Sequence, residues 1–237
     1  MRKLSVLLVS LITVAFAACA DGRLQAEGVS GGSTVLRFEG SDVTTTFAGM
    51  QEMTGALFLA DVSYPFVATG SAYGLGVGSA ETLAVSLWVL FHVEGTVDGV
   101  DPITIRGGMD VIGDGIDVDS FSLGSGSGTF FAVVKFMDVT YEFSGSVEST
   151  GSGALVPPQD PSTMEVAGTV ASTLEGTLYA PEGELVDRMP WDAAAWPMEL
   201  HEQLMTLLLT GAMPEPPSEE PAPEPAKTPS RRRAPVP

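Results

Sequence analysis

The stretch LAVSLWVLFHVEGTVDGVDPITIRGGMDV, Leu83 to Val111, decides the fold. In its first half Leu83, Val85, Leu87, Val89, Phe91, Val93 and Val97 share one face, with Gly95 among them. Ala84, Ser86, Trp88, Leu90, His92, Glu94, Thr96 and Asp98 share the other. Side chains alternate across a pleated strand, so a period of two fits a strand with one side on a core. Asp98-Gly99 is a turn dipeptide, after which Ile103, Ile105, Met109 and Val111 resume the pattern opposite Thr104, Arg106 and Asp110. A third run sets Met137, Val139, Tyr141, Phe143 and Val147 against Asp138, Thr140, Glu142, Ser144 and Glu148.

Outward from this core the same period recurs. Thr34 to Glu39, Val43 to Ala48 and Ala56 to Tyr64 read as strands, with Pro65 closing the last. Gly70 to Ser79 is Gly-rich without a Lys-Ser/Thr or a following helix, which argues against a phosphate loop. It reads as a mobile loop or as a strand against which another backbone packs closely. Thr129 to Phe136 is apolar on both faces except for Lys135, so it is buried on both sides or carries a bulge. Gly151 to Ser162 reads as a long loop; beyond it Met164, Val166, Val170, Leu174 and Leu178 share a face with Gly168 and Gly176. Glycines also sit on the apolar side at Gly95 and Gly145. Glycine weakens a strand, so its repeated use there points to sharp bends or to room for something bulky.

Pro190 to Gly211 holds the one substantial helix, expected over 197–210. Pro197 suits a first helical position, Glu199 the first turn, Leu200, Leu204, Leu207 and Leu208 form a stripe, and Gly211 with Pro214 stops it. With Trp191 and Trp196 this helix has the apolar surface to cover an open end of the sheet as a lid. The fold class is therefore all-β: eight to ten mostly antiparallel strands in a barrel or strongly curled sheet, with a two-sheet sandwich as the alternative and one C-terminal helix. The layout resembles that of lipocalin-like carriers, although none of their signature residues occurs here.

The N-terminal segment sets the compartment. Met1 to Ala20 has a basic start, an apolar run from Leu4 to Phe16 and small residues after it, the plan of a secretory signal peptide. Phe16-Ala17-Ala18-Cys19 resembles a bacterial lipoprotein processing site, in which a cysteine after small residues is lipid-modified and becomes the new N-terminus. The position three before the cysteine is Phe16, where that family usually has Leu. The resemblance implies lipidation of Cys19 and a membrane-anchored protein of the cell envelope. Ordinary cleavage after Ala20 would instead give a secreted soluble chain. Cys19 is the single cysteine, so no intrachain disulfide forms. The expected organisation is a signal peptide over 1–18, an anchor and tether over 19–33, a β-rich domain over 34–212 and a disordered Pro-rich tail over 213–237.

Charge narrows the partners. The 237 residues carry 30 Asp and Glu against 11 Lys and Arg, a net charge of -19. Apart from the two ends, the cations are Arg23, Arg37, Arg106, Lys135 and Arg188, too few to neutralise a run of phosphates, so nucleic acid is not an expected partner. The expected partners are the membrane, through the anchor, and an apolar ligand or an envelope protein.

Candidate chemistry is sparse. Asp114, Asp117 and Asp119 crowd a Gly-rich stretch that matches half of a calcium-binding nonapeptide, and with loop carbonyls they would supply several oxygens to calcium. Tandem copies are absent, and a solvated turn is the other reading; no other cofactor is expected. Gly28-Val29-Ser30-Gly31-Gly32 spells GxSxG without the strand and helix of a nucleophile elbow. Two histidines, His92 and His201, are too few for a histidine-rich zinc site. No catalytic residue is assigned. The chain reads as a non-enzymatic binding or structural module, with a carrier of an apolar ligand and a calcium-dependent adhesion module as alternatives.

Overall fold

A computed structural model describes residues 22–79, 85–113, 116–117, 122–123, 125–156, 163–178 and 196–213. Its strands are β1 (Arg23–Glu39), β2 (Asp42–Leu59), β3 (Val62–Ser79), β4 (Val85–Val97), β5 (Asp101–Gly113), β6 (Ile116–Asp117), β7 (Ser122–Leu123), β8 (Gly126–Phe136), β9 (Val139–Leu155) and β10 (Thr163–Leu178). Among the described residues one helix, α1 (Met198–Thr210), follows. Eight of the strands form one antiparallel sheet in the order β1-β10-β9-β8-β5-β4-β3-β2, and β1 pairs with both β2 and β10, so the sheet closes on itself as a ring. The sandwich alternative is thereby removed. β6 and β7 form a small separate hairpin between β5 and β8.

Alternation gives the ring its two surfaces. Leu24, Ala26, Met53, Leu57, Val93, Ile105 and Leu174 point inward and are buried. Arg23, Gln25, Glu27, Glu52, Glu165 and Glu175 point outward and are exposed. An apolar interior behind a charged outer wall is the reverse of a barrel that faces lipid.

One end of the ring is sealed. Two-residue turns at Ala60-Asp61 and Met137-Asp138 and a three-residue turn at Asp98–Val100 lie there. Ala60, Asp61, Met137 and Asp138 all have positive φ, from 48° to 66°. Two successive residues of that kind make the turn whose twist matches a hairpin. Above these turns Phe66, Phe130, Phe136 and Phe143 fill the interior, and the Tyr64 ring meets Phe136 at 5.1 Å between centroids.

Several sequence expectations are corrected. Residues 23–33, expected as tether, are the first half of β1, because a closed ring needs a strand between β2 and β10. Ala56 to Tyr64 is not one strand but the two arms of a hairpin, in which Leu57 pairs with Tyr64. Pro65 does not end its strand. N–H and C=O of one residue point to the same neighbour in an antiparallel sheet. The Pro65 carbonyl accepts from Asp98 N at 3.1 Å, so its missing N–H faces the β4–β5 turn and removes nothing from the β2 ladder. Gly70 to Ser79 is strand, and a Cβ on Gly70 would fall 1.9 Å from the His92 carbonyl oxygen, so the close backbone approach is real. The expected loop 151–162 begins later, since β9 continues to Leu155.

The lid expectation is also overturned. Helix α1 packs against the outer wall, where Leu200, Leu204, Leu207 and Leu208 join Tyr73, Leu90, Phe131, Val133 and Trp196 in a second buried cluster. The physical reason lies in the outward positions of β3, β4 and β8. Tyr73, Leu75, Trp88, Leu90, Phe131 and Val133 form a contiguous apolar stripe on a largely polar wall that elsewhere carries scattered exposed apolar residues such as Val67 and Ile112, and the helix covers it. Thr129 to Phe136 is accordingly buried on both sides without a bulge: Phe130 and Val134 face in, Phe131 and Val133 face the helix.

Candidate functional site

The interior changes character along the ring. Large aromatics fill the turn end, whereas on β1, β3, β9 and β10 small residues take many of the inward positions toward the other end. A row of glycines, Gly49, Gly32, Gly168 and Gly153, crosses four adjacent strands in direct register. The backbones pass so closely that a Cβ on Gly32 would fall 2.3 Å from the Ala48 carbonyl oxygen. On β3 the inward residues include Gly70, Ala72, Gly74 and Gly76.

Where bulk stops, a cavity of about 240 Å³ opens inside the ring. Leu36, Phe47, Leu87, Val89, Met109 and Val111 supply much of its apolar wall. Hydroxyls of Ser30, Thr45 and Ser172 are set into that wall, and each of these residues is buried. Ser30 Oγ donates to Gln51 Oε1 directly across the β1–β2 pair, and Gln51 Nε2 donates to the Glu52 carbonyl at 3.1 Å. Thr45 Oγ1 is buried with no hydrogen-bond partner. No lining residue is ionisable.

Of the described sequence candidates, Ser30 lines the cavity and the two histidines do not. Ser30 of GxSxG stands in the middle of strand β1, on Gln51, with no helix after it. His92 points outward from β4, 3.6 Å from Glu94 Oε1, and lies beside Arg106 of β5 under the C-terminal end of α1. His201 belongs to the helix outside the ring. Neither histidine reaches a serine of the cavity. Asp110 faces outward on β5 and accepts from Thr129 N at 3.2 Å. Of the calcium candidates, Asp114 and Asp119 lie outside the described residues, and Asp117 belongs to the backbone of β6. Cys19 lies outside them as well.

The cavity itself was not assigned from sequence. Its signal was the glycines on the apolar face, Gly168 among them, which point to sharp bends or to room for something bulky. Some of that room is taken by the protein: a Cβ on Gly176 would fall 2.6 Å from Phe130 Cζ. At the other end it stays open. No protein-family model, curated protein or solved structure matches this chain.

Proposed function

We propose that this is an exported, lipid-anchored protein of the cell envelope that binds a small apolar molecule inside its ring, without catalysis. The observation that carries the reading is the apolar cavity in a closed, otherwise well-filled interior. Protein interiors pack densely, and an apolar pocket of this size leaves its lining facing water rather than packed side chains, which is unfavourable. A ligand would supply the missing packing contacts. An engineered apolar cavity of about 150 Å³ takes a six-carbon ring. By that scale 240 Å³ suits a body of about ten heavy atoms. A drug-sized ligand needs more, about 300 Å³ upward.

The anchor fits this geometry. Cys19 stands four positions before Arg23, where β1 begins at the sealed, turn-bearing end. Four residues reach ~14 Å at most. A lipid on Cys19 would hold the sealed end toward the membrane and the cavity end away from it.

Two experiments test the reading. Titration of the full chain with naphthalene, followed by its fluorescence, gives saturable one-to-one binding that Leu87→Trp abolishes by filling the cavity; absence of saturable binding in the native chain ends the carrier reading. Incorporation of labelled fatty acid into cells expressing the chain, lost in Cys19→Ala along with membrane association, tests the anchor separately.

A further inference from the structure

We infer that the cavity selects an uncharged amphiphile, an apolar body carrying one hydroxyl or carbonyl group that is read by Thr45; the inference rests on the carrier reading above. Along the inward-facing positions of the eight strands the ionisable side chains are the phenols of Tyr64 and Tyr141 and the exposed carboxylate of Asp101, all near the sealed end and outside the cavity lining. The strand cations Arg23, Arg37, Arg106 and Lys135 all point outward. A carboxylate or an ammonium inside would lose its hydration and meet no opposite charge, which strongly disfavours it. The net charge of -19 adds a field that repels anions before they enter.

The wall is nevertheless not purely apolar. Thr45 is 7% exposed, lines the cavity, and its hydroxyl has no partner. A buried hydroxyl is normally paired, and an unpaired one is a net loss to the folded state. Its cross-strand neighbours are Leu36 and Gly76, neither of which brings a polar side chain. The group able to pair with Thr45 Oγ1 therefore comes from the contents of the cavity. Ser30, by contrast, already donates to Gln51 and retains only its acceptor capacity. An alcohol, which both donates and accepts, satisfies this set better than a bare hydrocarbon.

The test is competition against naphthalene on the full chain by 1-decanol and by decanoate, in the native protein and in Thr45→Val. If naphthalene itself fails to bind, the carrier reading falls and this inference falls with it. With naphthalene bound, the expected result at pH 8 is 1-decanol at least about 100-fold tighter than decanoate. The apparent affinity for the acid rises as pH falls from 8 to 5, because the protonated form is the one that fits. Thr45→Val weakens 1-decanol about 3- to 10-fold, the range of one neutral hydrogen bond, and leaves naphthalene unchanged. Removing an unpaired hydroxyl preserves the fold, which a urea midpoint no lower than that of the native chain verifies. Equal binding of decanol and decanoate at pH 8, or equal loss of naphthalene and decanol in Thr45→Val, overturns the inference while leaving the carrier reading in place.

Discussion

Trp196 sits over Gly108: a Cβ built on Gly108 would fall 3.0 Å from Trp196 Cη2 and 3.1 Å from Leu204 Cδ1. Gly108 lies on the outer face of β5, and its missing side chain makes the depression into which the start of the helix segment fits. The helix is thus keyed to the wall by one absent side chain. Gly108→Leu is expected to push α1 off the wall, exposing Tyr73, Leu90 and Phe131. The ring, whose core lies on the other side of the sheet, keeps its strands. Overpacking of this kind costs ~1–3 kcal/mol. The check is loss of near-ultraviolet tryptophan dichroism with retained β-sheet signal, together with proteolysis at the helix.

The other end of the helix is fixed by backbone. Gly211 has φ 79° and its N–H donates to the Leu207 carbonyl at 2.8 Å, closing the helix in a left-handed cap. The last turn of α1 carries no basic residue of its own. Arg106 and His92 approach Gly211 from the sheet instead, placing a guanidinium beside the negative end of the helix. Gly211→Ala forces a side chain into left-handed backbone and is expected to lower stability by ~1 kcal/mol. Chemical denaturation of the two proteins side by side measures it.

Tyr73 provides a pH signature for helix docking. Burial under α1, and secondarily the charge of Glu199, raise its phenol above the ordinary value. The folded chain therefore holds this proton more tightly than the unfolded chain. Below about pH 10 both forms keep the proton, and the contribution is constant. Above it the unfolded chain releases a proton that the folded chain retains, so stability falls as pH rises. Urea midpoints from pH 8 to 11 should drop less steeply in Tyr73→Phe than in the native chain, with Glu199→Gln between them.

The sequence made the wall legible and the closure illegible, for physical reasons. β10 buries one face and solvates the other, and β4 and β5 do so outside the strip under α1, so alternation marks them directly; the stripe Leu200, Leu204, Leu207 and Leu208 marks α1 equally well. β1 was hidden because its inward side chains are small. Leu24 and Ala26 give way to Gly28, Ser30 and Gly32, which look like a linker until their partners on β2 and β10 are known. The turns Ala60-Asp61 and Met137-Asp138 were hidden because they adopt positive φ without a glycine. The place of the helix was partly written in the chain: Trp88 and Leu90 occupy the polar register of β4, and Phe131 and Val133 repeat the anomaly on β8. Two-sided burial on neighbouring strands calls for a cover on the outside. The cavity depends on which inward positions face one another around the ring, and only the closed register supplies that.

The Ser30–Gln51 pair separates the polar groups that hold the ring from those left for a ligand. Gln51 is 2% exposed and Ser30 4%, and the amide lies across Gly28, where a Cβ would meet Nε2 at 2.5 Å. Removing one partner leaves the other buried and unpaired. Ser30→Ala strands Gln51 Oε1 and is expected to destabilise by ~1–3 kcal/mol. Gln51→Leu has a smaller effect, since the Ser30 hydroxyl borders the cavity and can turn to its contents. Replacing both removes donor and acceptor together and should recover much of the loss, giving a coupling in the double-mutant cycle of ~1 kcal/mol or more. Naphthalene affinity should be nearly unchanged across all four proteins, because the pair braces β1 against β2 at the edge of the site. Additive effects on stability would mean that the pair contributes nothing as a pair. Parallel losses of stability and of binding would place Gln51 in the ligand site itself.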